Sequence, residues 1–87
     1  VSLLGRRPEP IERVAGEVGG AAFVADVTDR AAVDRAFDAA RAAHGPIAIL
    51  INNAGRAMSA PFARVTADEW RATMAANLDL LLHCCQA

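Results

Sequence analysis

Four groups of residues in this 87-residue chain have the types and spacing to do chemistry. The first is Gly5-Arg6-Arg7, which closes the apolar run 1–4. In open parallel sheets, ligands bind outside the carboxyl ends of the strands. An acidic residue at such an end would bond a ribose hydroxyl, whereas a guanidinium neutralises a phosphate through two parallel N–H bonds. Arg6, with Arg7 beside it, therefore favours a dinucleotide carrying a 2′-phosphate; two solvated surface arginines are the alternative. The second group is Asp26-Val27, just past the apolar run 21–25. Its carboxylate can accept from an adenine amine while Val27 and the backbone contact the ring. An Asx-turn or cap leading into the next helix accounts for the same Asp. The third group is Asn52-Asn53-Ala54-Gly55, directly after the run 47–51. Two consecutive amides offer donors and acceptors to backbone and ligand, and the small Ala54 and Gly55 admit a ligand close to the backbone. A generic turn is the alternative. The fourth is Asn77, which falls on an apolar helical stripe with Trp70, Met74, Leu78, Leu81 and Cys85. An unpaired buried amide costs about 1–3 kcal/mol, so Asn77 must have partners, whether its role is functional or structural.

The remaining reactive side chains form no comparable group. His44, His83, Cys84 and Cys85 lack the paired spacing of a zinc site, and Ser59 lacks the context of a nucleophile elbow. His44 suits a helix end; His83 and the two thiols read as packing or surface residues. Arg56 and Met58 are placed to border a substrate cleft.

These groups need elements to hold them. The run 1–4 reads as the end of a buried strand, followed by a turn and a helix over about 10–18 with Ile11, Val14 and Val18 on one face. Gly19-Gly20 stops that helix. A second strand covers 21–25. Thr28 can cap the next helix, with Asp29 near its positive end and Val33, Ala36, Phe37 and Ala40 at helical spacing. Gly45-Pro46 ends it, and 47–51 is a third strand candidate, apolar throughout. Thr66 and Glu69 form a capping box for the last helix, with Val65 and Trp70 as its hydrophobic staple. Strand and helix alternate three times, which predicts one α/β domain, or most of half of one, built on a parallel sheet.

Composition narrows the function classes. A hydrophobic fraction of 54% with 22% charged residues opposes disorder, and a net charge of -1 opposes a nucleic-acid binder. No apolar run approaches the ~18–20 residues of a membrane span, and no signal-peptide pattern opens the chain. Cys84 and Cys85 are neighbours, poorly placed to bridge each other, which favours reduced thiols and a cytoplasmic setting. The chain opens at Val1 inside a strand and stops at Ala87 inside a helix, so it reads as an internal piece of a longer protein.

Together these residues resemble the short-chain dehydrogenase/reductase family, most closely its 3-oxoacyl-(acyl-carrier-protein) reductase-like branch. The anchors are Leu4-Gly5-Arg6-Arg7, Asp26-Val27, Leu50-Ile51-Asn52-Asn53-Ala54-Gly55, and Trp70 through Asn77-Leu78, in family order and spacing along essentially the whole chain. The resemblance implies a fragment of a Rossmann-type doubly wound parallel sheet, with 1–87 a partial NAD(P)-binding domain whose first strand is missing. It implies a parent that transfers hydride between a nicotinamide, NADP rather than NAD, and a carbonyl or alcohol. Arg6 would hold the 2′-phosphate with Arg7 as a second contact. Asp26 and Val27 would flank the adenine, and Asn52 would border the cofactor's ribose. Asn53 and Gly55 would brace the sheet, with Ala54 and Gly55 counted in the cofactor site. Asn77 would match the family's active-site Asn, which holds a local helix irregularity and a water in a proton relay. The family's Gly-rich loop, its catalytic Ser and its Tyr-x-x-x-Lys pair have no counterpart here; the chain has no Tyr, and all nine of its basic residues are Arg. This piece is therefore expected to be inactive alone. The substrate would be a small-molecule or acyl-thioester carbonyl and the parent a tetramer or dimer. The alternatives are a non-catalytic dinucleotide-binding or regulatory protein of the same fold, and an unrelated parallel α/β enzyme.

Overall fold

The first two apolar runs pair. In a computed structural model describing all of residues 1–87, β1 (Ser2–Gly5) and β2 (Ala21–Val24) form a parallel ladder running from Ser2 opposite Ala21 to Gly5 opposite Val24. Parallel strands need a crossover, and α1 (Pro8–Val18) supplies it. Proline at its first turn loses no helical hydrogen bond. Gly19 closes it at φ 65°, a left-handed conformation that strains residues with a Cβ. At Gly20 a Cβ would collide with the Val1 carbonyl oxygen, so the second glycine lets the chain re-enter the sheet.

The next helix, α2 (Arg30–His44), buries the predicted face of Val33, Ala36, Phe37 and Ala40, and ends at Gly45. Its cap differs from expectation. Asp29, not Thr28, accepts from the Ala32 amide at 3.2 Å, because Thr28 is already committed to Asp26. The last helical segment begins as predicted: the Glu69 amide donates to Thr66 Oγ1 at 3.1 Å and the Thr66 amide to Glu69 Oε2 at 2.7 Å. Val65 and Trp70, which flank this box, are both exposed.

Two expectations are corrected. The run 47–51 forms no strand; the sheet has two strands, and Ile49 and Ile51 are each 82% exposed. A strand exists by its backbone partners, not by apolar sequence alone, and none stands beside this run. Between it and β1 lies a groove of about 610 Å³ lined by Leu3, Leu4, Ile47, Ile49 and Leu50 among others. That is where the resemblance places a further strand. Second, the apolar stripe expected of the final helix is not its buried face, because the helix irregularity implied at Asn77 interrupts it. The helix comprises α3 (Ala67–Met74), a π-helical turn at Ala75–Asp79, and α4 (Leu80–Gln86). The wider turn shifts the helical phase. Leu80 and Cys84 are the buried residues of α4, while Trp70, Leu78, Leu81 and Cys85 of the expected stripe are exposed.

The core is small: 8 of 87 residues are buried. Its centre is Val33, Phe37 and Cys84, with Leu4, Val27 and Ala87 packed against them, so α2 is the element on which both α4 and β1 rest. No helix is long and apolar enough to cross a membrane.

Candidate functional site

The carboxyl ends of β1 and β2 open on a cleft of about 420 Å³. Arg6 and Arg7 line one wall, Asp26 and Val27 the strand ends, and Ala54 and Gly55 the far wall. Six of the residues singled out in the sequence thus share one cavity although they come from three separate segments. At Gly5 a Cβ would sit 2.8 Å from Ile11 Cγ2, so glycine lets β1 and α1 approach closely where the chain turns toward Arg6.

Arg6 and Arg7 are exposed, and neither forms an ion pair. The ion pairs are Arg30–Asp34, Arg41–Asp38 and Arg71–Asp68, each within a helix. The cleft therefore presents two guanidiniums whose donors are available to an anion. Asp26 faces them in a fixed orientation. Its Oδ1 accepts from the Thr28 hydroxyl at 2.7 Å and the Thr28 amide at 2.9 Å. Those two bonds, and more weakly the Arg6 charge, hold its carboxyl below the usual range. The structural role of Asp26 as an Asx-turn is realised through Oδ1, while Oδ2 has no protein partner.

Asn77 sits in the π turn. Its Nδ2 donates to the Thr73 carbonyl at 2.7 Å and the Arg56 carbonyl at 2.8 Å, and its Oδ1 accepts from the Arg56 amide at 3.2 Å. Both amide hydrogens are used and the expected partners are all backbone groups. One residue earlier, a Cβ at position 55 would come 2.7 Å from Asn77 Oδ1, so Gly55 is required for this clamp to close. Asn77 does not itself line the cleft; it fixes the wall that does.

The structure does not bring Asn52 into the cleft. Asn52 lines the apolar groove with Asn53, and its Nδ2 lies 3.6 Å from Cys85 Sγ. Sequence reasoning also missed a tie. His83 Nδ1 stands 3.0 Å from the Val27 carbonyl oxygen, and since a carbonyl only accepts, Nδ1 carries the proton. The partners are 56 residues apart, so no local pattern announces the bond. Arg56 lines this cleft as well, while Met58 does not.

A sequence profile described as short chain dehydrogenase matches residues 1–87. The chain is 39% identical over 92 residues to D-threitol dehydrogenase of Mycolicibacterium smegmatis, covering 100% of this chain and 35% of that protein. It is 34% identical over 83 residues to the NADP-dependent (R)-specific alcohol dehydrogenase of Lentilactobacillus kefiri, covering 91% of this chain and 33% of that one. Among solved structures, the 3-ketoacyl-(acyl-carrier-protein) reductase from Brucella melitensis complexed with NADH superposes with a TM-score of 0.94 at 30% identity, over 99% of this chain and 36% of that one. The chain thus spans roughly a third of the length of these relatives. Cleft, fold and sequence agree: the chain belongs to the short-chain dehydrogenase family.

Proposed function

We propose that residues 1–87 form the adenosine-side part of the nucleotide-binding domain of an NADP(H)-dependent oxidoreductase. The enzyme moves hydride between the nicotinamide and a carbonyl or alcohol. One observation carries the cofactor assignment: Arg6 and Arg7, both without ion-pair partners, line a cleft at the carboxyl ends of parallel strands beside an Asp26 carboxylate that is fixed in place.

These groups fit an adenosine 2′-phosphate. Arg6 supplies the fork that binds the phosphate and Arg7 a second positive charge. Asp26 keeps Oδ2 for the adenine amine, and its lowered pKa keeps it ionised at neutral pH. Val27 contributes to the adenine wall, and Ala54 and Gly55 leave room for the ligand at the opposite side. Asn52 is assigned to the cofactor's ribose on family likeness alone. Asn77 holds the Gly55–Arg56 backbone and retains acceptor capacity on Oδ1 for a water of the active site. The bound nicotinamide supplies the hydride chemistry. The proton donor would be the family's Tyr with its Lys, and because the 87 residues contain neither, they are proposed not to turn over alone.

A relative whose name specifies NADP and a neighbour solved with NADH both support a nicotinamide cofactor; the choice between them rests here on Arg6. The substrate is proposed to be a small-molecule or acyl-thioester carbonyl, and the assembly a cytoplasmic homo-oligomer. The test is Arg6→Ala in the full-length protein. NADPH affinity should fall about tenfold, in keeping with one charge-assisted hydrogen-bonded contact, while NADH affinity is unchanged.

A further inference from the structure

Both walls of the cleft are fastened to the same helical segment. Asn77, in the π turn, holds the Arg56 backbone through its amide and carbonyl. One helical turn and a half further on, His83 donates from Nδ1 to the Val27 carbonyl at 3.0 Å. The stretch containing Val27 is otherwise tied to the end of β1 and to itself. Ala25 N–H bonds the Gly5 carbonyl, Asp29 N–H the Asp26 carbonyl, and Thr28 the Asp26 carboxylate. His83 therefore provides the hydrogen bond that references this stretch to α4. The neighbouring Cys84 packs in the cluster on which Val27 rests, so Val27 is held at its side chain and at its carbonyl together.

We propose that His83 is a positioning residue for the dinucleotide: it sets the adenine-side wall, at Val27, against the helix whose Asn77 sets the other. This rests on the cleft being the dinucleotide site. His83 itself touches no ligand in this scheme. Its bond survives either charge state of the ring, because Nδ1 bears a proton in the imidazolium and in this neutral tautomer. Two consequences separate it from Arg6 and from a merely structural residue. Adenine is common to NADPH and NADH, so both must weaken alike. In the proposed binding mode the reacting end of the cofactor is the one toward Asn77, so turnover at saturation should hold.

The experiment compares His83→Leu and His83→Asn with wild type in the full-length protein, measuring KM and Kd for NADPH and NADH, kcat, and Tm. Asn places its Nδ2 near the position of the imidazole Nδ1. His83→Leu should raise both KM values about fivefold, the effect of one part-buried hydrogen bond, with kcat within about twofold. His83→Asn should restore most of the affinity. Should the Leu variant fail to fold, His83→Phe, which keeps the ring volume and lacks the donor, is read in its place. Unchanged affinities, a loss confined to NADPH, a fall in kcat at constant KM, or an Asn variant as weak as the Leu variant would each overturn the proposal. Wild-type protein that binds neither dinucleotide would overturn the cleft assignment, and this proposal with it. Wild-type binding that the Leu variant retains would overturn this proposal alone.

Discussion

Residues 1–45 and 46–87 use the same kinds of signal and reach different ends. In the first region each apolar run finds a partner: β1 pairs with β2, α1 makes the crossover between them and α2 buries four side chains. In the second, the run 47–51 is as apolar as either strand yet joins no ladder, and α3 carries a complete capping box yet buries no residue. Helix caps are satisfied within one turn, so they form wherever their residues occur. A strand is satisfied only by another strand, so its fate is decided by what lies beside it. The π turn and the clamp at Asn77 are the second region's main attachment to the site, and α4 its main attachment to the core.

The largest expected effect concerns that contrast in the 87-residue chain alone. Residues 47–55 make no backbone hydrogen bond, and with 8 residues buried the chain should show no sharp two-state melt and should tend to aggregate through its open sheet edge. In amide exchange, β2 and α2 should be protected ahead of 47–55. A single cooperative transition seen alike by fluorescence and circular dichroism would show that the two regions fold as one unit.

The next effect cuts the link between the regions. Gly55→Ala puts a Cβ against Asn77 Oδ1, so the clamp must open and leave polar groups unpaired. In the full-length protein this should cost about 1–3 kcal/mol in denaturant unfolding and lower activity beyond the loss of stability. Wild-type stability in that variant would show that the clamp does not depend on glycine.

The smallest effect sharpens the first region alone. Asp26 titrates below the ordinary carboxylate value of about 3.9, chiefly because of Thr28. A depressed folded pKa adds stability that is complete above the unfolded value and is lost as pH falls through the folded one. Thr28→Val should move the Asp26 titration, followed by NMR, upward toward the ordinary range. An unmoved titration would assign the shift to the amide of residue 28 and to Arg6 rather than to the hydroxyl.

How much of this was legible in the sequence follows from the range of each signal. Gly19, Gly45, the Val33–Phe37 face and the Thr66–Glu69 box act within a turn or two, and each appears where its spacing places it. The cap of α2 was misplaced because Thr28 and Asp29 both qualify locally, and only the competing bond to Asp26 decides between them. The buried face of α4 was misread because a straight 3.6-residue period was carried through Asn77, where the helix widens. The cleft was legible because strand ends in a parallel sheet share one edge, which gathers Arg6, Arg7, Asp26 and Val27 without knowledge of any contact. Asn52 turning toward Cys85, and His83 reaching Val27, were not legible, since each joins residues distant in sequence.

Equilibrium binding of NADPH and NADH to the full-length protein and to its Arg6→Ala variant decides whether Arg6 selects the cofactor. Wild type should prefer NADPH, and the variant should lose about tenfold in NADPH affinity with NADH unaffected. A wild-type preference for NADH, or a variant that binds NADPH as tightly as wild type, would remove Arg6 from the site.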